Sequence, residues 1–164
     1  FEAVMLSGEL IANSMGLGFA QMADPVRGSS PVLGQFMVIL ASLLFLSMGG
    51  HLLLVQSLAQ SFTDLPLNAG LSAAQLQALV LWAGLVFAGG VQIALPAMMG
   101  LLLVNLAFGV MSRAAPTLNL MAVGFPVSLI AGLVLLQFSL PGLQTAFAQL
   151  LDTAWLFIAE LMHV

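Results

Sequence analysis

Apolar residues run almost without interruption along this chain, and polar or helix-breaking residues fall in short clusters that divide it into segments. Glu2 to Met15 reads as a helix with small residues at Gly8, Ala12 and Gly16, a spacing that lets a second helix approach closely. Glu9 and Asn13 lie four apart on an adjacent face. The stretch Met15 to Leu33, MGLGFAQMADPVRGSSPVL, then breaks the pattern with three glycines, two prolines, two adjacent serines and an Asp/Arg pair. Lipid cannot hydrogen-bond irregular backbone, so such a segment must face water, lie within protein or line a cavity. Asp24-Pro25 and Ser30-Pro31 also disfavour helix, because proline restricts the residue before it.

Phe36 to Ala59 is 24 residues without Asp, Glu, Lys or Arg. As a helix it would reach about 36 Å, enough to cross a bilayer core of about 30 Å. Gly49-Gly50-His51 falls in its middle, and Asp64, Pro66, Asn68 and Gly70 mark the next turn. Leu76 to Met111 is 36 uncharged residues, too long for one upright span, with Gly89-Gly90 and Pro96 near its centre. That pattern predicts either one kinked helix or two helices bent there. Asn105, Gly109 and Arg113 form a polar, narrow stripe at its end.

Ala114-Ala115-Pro116 turns the chain into a further apolar helix, Leu118 to Leu140, with Gly124, Ser128 and Gly132 repeating the small-residue spacing. Pro126 either kinks this helix or sits in its first turn, and Pro141-Gly142 reads as a turn. From Leu143 to Val164 the pattern is amphipathic. Leu143, Phe147, Leu150, Leu151, Ala154, Ile158 and Met162 form one face, opposite Thr145, Gln149, Asp152, Glu160 and His163, with Leu156 interrupting the polar side. No strand pattern or internal repeat appears, and residues 1–164 read as one all-α domain.

Composition sharpens this picture. The 164 residues are 62% hydrophobic and 5% charged, with a mean hydropathy of +1.17. Soluble domains carry about 25% charged residues, so the chain belongs in or against a membrane. Its basic residues, Arg27 and Arg113, give no patch for nucleic acid. The formal charge of -4 is scattered and implies no particular partner. Without cysteine there is neither disulfide nor thiolate metal site. The chain opens on Phe1 and is helical almost at once, with no basic signal-peptide start, so further chain is expected upstream.

Candidate chemistry is sparse. His51 with Ser57 or Ser61 is the obvious serine dyad, but neither serine sits in a nucleophile elbow, and serines on apolar helices usually bond their own backbone. Glu160 and His163 make one E-x-x-H, without the second copy and further glutamates that a di-iron bundle requires. Gly16-Leu17-Gly18 lacks the lysine of a phosphate loop, and no cofactor is suggested. More informative are Glu9, His51, Gln56, Gln92, Asn105 and Arg113, each costly against hydrocarbon and each expected to face a partner or water. Packing bonds between helices explain them more economically than a transport path. Arg113 is the best candidate for an ion pair, with Glu9 or with a neighbouring subunit. Among the methionines and phenylalanines, core filling is the general reading. Met15, Phe19 and Met22 stand apart as a deformable seal within the loop.

Several motifs together carry a resemblance. GELIANSMGLGFAQMADP, LLFLSMGGHLLLVQSLAQSFTDLP, IALP and VNLAFGVMSRAAPTLNLMAVGFP occur in order over nearly the whole chain. Their most specific elements are Gly50-His51, Ser61-Phe62 with Leu65-Pro66, and Arg113, Pro116 and Asn119 followed by Gly124-Phe125-Pro126. The chain resembles the R-subunit family of the bacterial flagellar export gate, which includes the equivalent subunit of virulence type III secretion systems. The flagellar branch is preferred.

The resemblance implies a non-enzymatic pore subunit in the bacterial inner membrane, within the flagellar basal body. It implies assembly with P and Q subunits, cooperation with the A and B gate proteins, contact with membrane lipid, and passage of unfolded exported proteins. It implies membrane-associated helical hairpins, a P-like first part and a Q-like hairpin over 118–164 with Pro141-Gly142 as its turn. It places a pore plug at residues 16–31. The plug candidates are Met15, Gly16, Leu17, Gly18, Phe19, Met22, Asp24, Pro25, Arg27 and Pro31. The buried or interface polar set is Glu9, Asn13, His51, Gln56, Ser61, Gln92, Asn105, Arg113 and Asn119. It also implies that some apolar helices pack on neighbouring subunits rather than lipid. Rival readings are a small-solute transporter or channel with a broken helix at Gly89-Gly90 and Pro96, and an intramembrane enzyme using His51.

Overall fold

A computed structural model of the chain describes residues 1–18, 32–64, 72–114 and 120–162. Five helices account for them: α1 (Glu2–Ser14), α2 (Val32–Ser47), α3 (Gly50–Asp64), α4 (Ala73–Ala114) and α5 (Leu120–Met162). The fold is all-α, and α4 and α5 are each long and apolar enough to cross a membrane.

The two long helices form an antiparallel pair. Gln75 meets Leu161 near one end, Gly89 meets Leu150 further along, Gly100 meets Leu135, and Asn105 meets Ser128 towards the other end. Helix α1 lies along α4 in the same direction, with Ala3 beside Gly89 and Gly90 and Ser14 beside Asn105. Helix α2 runs antiparallel to α1, bringing Gly34 to Gly8 and Phe45 to Phe1. Helix α1 is therefore the centre of the bundle, with Ala3, Val4, Ser7, Gly8, Ile11 and Ala12 buried.

Gly8 is where small size matters most. A methyl group there would lie 2.6 Å from the Cα of Gly34, so the two backbones touch. On α4, side chains of Leu6 and Leu150 occupy the space that Gly90 and Gly89 leave open. These glycines cost helix stability but bring the helices close enough for dense dispersion contact. The helical serines behave as expected of an apolar chain: Ser7, Ser14, Ser42, Ser61, Ser112 and Ser139 each donate to a carbonyl one turn back.

Two boundaries differ from the sequence reading, and a third resolves between its alternatives. The span over Phe36–Ala59 is two helices, bent by 70° between Ser47 and Gly50. Gly49 supplies the break with φ +74, a left-handed conformation that suits glycine, and its N–H bonds the Leu46 carbonyl at 3.1 Å. Of the two alternatives for 76–111, the single helix holds, with Pro96 inside α4. The turn at Pro141-Gly142 does not form, so residues 120–162 are one helix and not a hairpin about that point; Pro126 also lies inside it, beyond the first turn. The reason is packing register. Leu136, Leu140, Leu143 and Phe147 keep one helical spacing straight through the Pro-Gly pair, and all four face the core. A turn would remove half of that row from Ile11, Met37 and Ile93. Beyond Leu143 the amphipathic reading holds, with Leu143 and Phe147 buried and Thr145, Gln149, Asp152 and Glu160 exposed.

Two substitutions separate close packing from helix propensity. Gly8→Ala should cost about 1–3 kcal/mol through overpacking. Gly84→Ala, where no atom lies within 4 Å of an added methyl, should stabilise by up to about 1 kcal/mol. Thermal unfolding of the purified full-length protein in detergent checks this, and equal melting temperatures for the two variants would contradict the backbone contact.

Candidate functional site

The plug candidates begin where α1 ends. Leu17 N–H bonds the Ala12 carbonyl at 3.0 Å and Gly16 N–H bonds the Asn13 carbonyl at 3.0 Å. Gly16 has φ +85, so Met15–Leu17 form a Schellman-type helix stop. Met15 is buried against Gly132 of α5, where a larger residue would overlap its side chain. Met15 is thus a core residue and not part of an exposed seal, and Gly16 and Leu17 terminate a helix. Gly18 stands beside the Asn13 side chain. Phe19, Met22, Asp24, Pro25, Arg27 and Pro31 lie outside the described residues. The chain re-enters at α2, two residues before Gly34 is pinned against Gly8. The segment therefore leaves and returns at two anchored points.

A polar crossing holds the first anchor. Asn105 of α4 donates through Nδ2 to the carbonyl of Ser14 at 3.3 Å, and the Ser128 hydroxyl of α5 donates to Asn105 Oδ1 at 3.4 Å. The last carbonyls of a helix lack intrahelical partners, so Asn105 satisfies one that α1 leaves open. One amide thereby joins α1, α4 and α5. The sequence singled out Asn105 and the Gly124/Ser128/Gly132 row separately. Their pairing was not readable from spacing, because it depends on how α4 and α5 align.

The other polar candidates are not gathered by the chain itself. Asn13, His51, Gln56, Gln92 and Arg113 are exposed, Glu9 is half-buried, and Ser61 bonds the Leu58 carbonyl. His51, Gln56, Gln92 and Arg113, expected to face a partner or water, lie on helix faces that this chain itself does not cover. Asn119 lies outside the described residues, as does His163 of the E-x-x-H pair. The ion pair between Arg113 and Glu9 is also corrected. Ser14 is level with Asn105, so Glu9 lies five residues to one side of that level and Arg113 eight to the other. At about 1.5 Å per residue they are separated by about 20 Å along the bundle.

The rival chemistries find little support in the geometry. His51 forms no hydrogen bond with Ser57 or Ser61, and among the described residues no three His, Cys, Asp or Glu side chains converge. The broken helix that a solute site would need at Gly89-Gly90 is continuous and filled by Ala3, Leu6 and Leu150. A cavity of about 270 Å³ lies at the start of α1, lined by Phe1, Val4, Trp82, Val86, Phe147 and Leu151 among others. Trp82 stacks on Phe157 there at 5.1 Å, and its indole N–H has no partner.

Comparison with known proteins adds the context that this geometry lacks. A family model described as bacterial export proteins, family 1, matches residues 1–154. The chain is 44% identical over 144 residues to the flagellar biosynthetic protein FliR of Pectobacterium carotovorum subsp. carotovorum, covering 86% of this chain and 55% of that protein. It is 40% identical over 143 residues to FliR of Escherichia coli (strain K12), with the same 86% and 55% coverage. FliR of Aquifex aeolicus (strain VF5) is 34% identical over 142 residues, again with 86% and 55% coverage. The chain spans about half the length of the curated relatives it matches.

The crossing itself is testable. Asn105→Leu should destabilise the full-length protein by about 0.5–1.5 kcal/mol, since it leaves the Ser14 carbonyl without its donor. Ser128→Ala should cost less, because the Ser14 bond survives. Detergent unfolding of both variants measures the order, and an equal or reversed order would show that Asn105 does not carry the crossing.

Proposed function

This chain belongs to the family of bacterial export proteins, family 1, and from that premise we propose that it is a pore-forming subunit of the flagellar type III export gate. The observation that carries the reading is the family match, which extends over all five helices as far as Ala154. The proposed gate conducts unfolded flagellar proteins across the bacterial inner membrane at the basal body. Its partners are the P and Q subunits, the A and B gate proteins and the surrounding lipid. Membership of a virulence secretion system is the alternative. The names of the FliR relatives favour the flagellar branch.

Within the gate, residues 16–31 are proposed as the plug. A segment of glycine, serine and proline fills a channel without a fixed side-chain lock. The anchored ends at Met15 and Gly34 support this reading, since a plug must be held from both sides to stay in register with a channel. Residues 118–164 are proposed to take the Q-like place, with 120–162 as one helix packed on α4 and not as a hairpin. The exposed polar residues His51, Gln56, Gln92 and Arg113 are proposed to meet neighbouring subunits or water, Arg113 through an ion pair.

Mild-detergent purification of the tagged full-length protein, followed by mass spectrometry, tests the assembly. P and Q subunits in a large, defined complex are the expected result. A lone monodisperse protein that binds a small solute would overturn it. Deleting Gly18–Ala23 should leave assembly intact and raise small-ion permeability of cells expressing it. A normally assembled deletion variant with unchanged permeability removes the plug assignment and leaves gate membership standing.

A further inference from the structure

Prolines stand inside both long helices. Pro96 lies within α4 and Pro141 within α5, and each helix continues through its proline. Proline has no N–H, so the carbonyls of Gln92 and Gln137, four residues back, lose the bond a regular helix would give them. Sharp bends in helices concentrate at such points.

The two weak points share one level of the bundle. Gly89 meets Leu150 and Gly100 meets Leu135. Between those contacts Pro96 comes within about a turn of Pro141 on the facing helix. Helix α1 crosses the same level at Gly8, because Ala3 lies beside Gly89 and Gly90 while Ser14 lies beside Asn105. Glycine also weakens a helix interior. The shared level matters because α4 and α5 are packed along their length. A kink in one of them would shear it against a straight partner, whereas kinks at one level let the pair bend together.

The backbone around Pro141 is loosened further. The Ser139 hydroxyl donates to the carbonyls of Leu135 and Leu136 at 2.7 and 3.0 Å, a back-bond of the kind that bends apolar helices. Gly142 follows, and nothing lies within 4 Å of the methyl group that alanine would place there. Pro96, Pro141 and Gly142 are exposed on the outside of the bundle. Inside, this level holds a cavity of about 10 Å³ lined by Ile11, Met37, Ile93, Leu136, Leu140 and Leu143 among others. It has room for about one water.

Pro-Gly is a turn signal that core packing holds helical. A conflict between local preference and packing marks a place with more than one accessible conformation. Pro126 gives the contrast. It lies close to the Asn105–Ser128 contact, and the proline inside α4 is not at that level.

We propose that Pro96 and Pro141-Gly142 form one hinge across α4 and α5. About it, residues 73–91 and 145–162 turn as a unit against residues 97–114 and 120–138, and Gly8 lets α1 follow. The core row on Ile11, Met37 and Ile93 holds the straight form. The bent form gives up part of that row for the turn that the Pro-Gly pair favours. The hinge is a property of this chain. Its use, to widen the gate around a passing polypeptide, rests on the proposed export role.

Hydrogen exchange of the full-length protein in detergent, read by mass spectrometry, tests the hinge. Pro96→Ala restores a backbone donor and should slow exchange about tenfold over 93–101 of α4 and also over 139–147 of α5. Pro141→Ala should slow the same two stretches. Gly142→Ala, which adds a methyl group into open space, should act in the same direction and more weakly. Pro126→Ala should leave both stretches unchanged. Slowing confined to the substituted helix would show two separate kinks and overturn the proposal. Faster exchange on both helices would show that the prolines fix a required shape, and would overturn it too. In cells, Pro96→Ala combined with Pro141→Ala should leave the gate assembled and lower secretion of flagellar proteins about tenfold. Normal secretion through an assembled gate with slowed exchange removes the use in export and leaves the hinge standing. Absence of P and Q subunits from the purified protein tells against the gate and leaves the exchange result unaffected.

Discussion

The close contact of backbones around α1 is the constraint on which the rest of this chain depends. Helices surrounded by lipid or by other apolar helices gain little from hydrophobic transfer between them, so close packing must hold them. Gly8 against Gly34 brings α2 onto α1, and Gly89 with Gly90 brings α4 onto it. Gly132 performs the same service for Met15, and Gly100 for Leu135. Each glycine weakens its own helix, and the loss is offset only where a neighbouring side chain or backbone occupies the space. Gly84, with nothing near it, shows the contrast.

Polar residues play a narrow part in this scaffold. Most of the helical serine hydroxyls are absorbed by their own helices, Ser7, Ser42 and Ser139 among them. Asn105 is different because it reaches across to Ser14 and receives Ser128. Its position beside the exit of α1 means that the same level carries a backbone stop at Gly16, a packed methionine and a three-helix amide contact. A helix end so restrained is a firm support for the segment that follows, whichever partners surround it.

Much of the remaining surface is apolar and uncovered, including large parts of α3, α4 and α5. A soluble monomer rarely exposes apolar area on this scale. Membership in an export family and two helices apolar enough to cross a membrane are consistent with a membrane location for such a surface. Helices α4 and α5, at 42 and 43 residues, are each about 63 Å long, roughly twice the bilayer core.

The sequence by itself determined the all-helical class, the membrane environment, the small-residue seams and the family, because these follow from composition, periodicity and motif order. It located the end of α1 at Met15 and the amphipathic face from Leu143 onward, both of which are local properties of a helix. Three features were decided by tertiary structure. Pro141-Gly142 is a turn signal taken alone, yet the core row from Leu136 to Phe147 keeps that stretch helical. Gly49-Gly50 resembles any glycine pair in an apolar run, like Gly89-Gly90, yet one pair breaks the helix and the other stays within one continuous helix under Leu6 and Leu150. Arg113 and Glu9 suggest an ion pair by charge alone, but the parallel alignment of α1 with α4 keeps them apart. Local preference proposes more than one conformation at such points, and contacts between residues distant in sequence select among them.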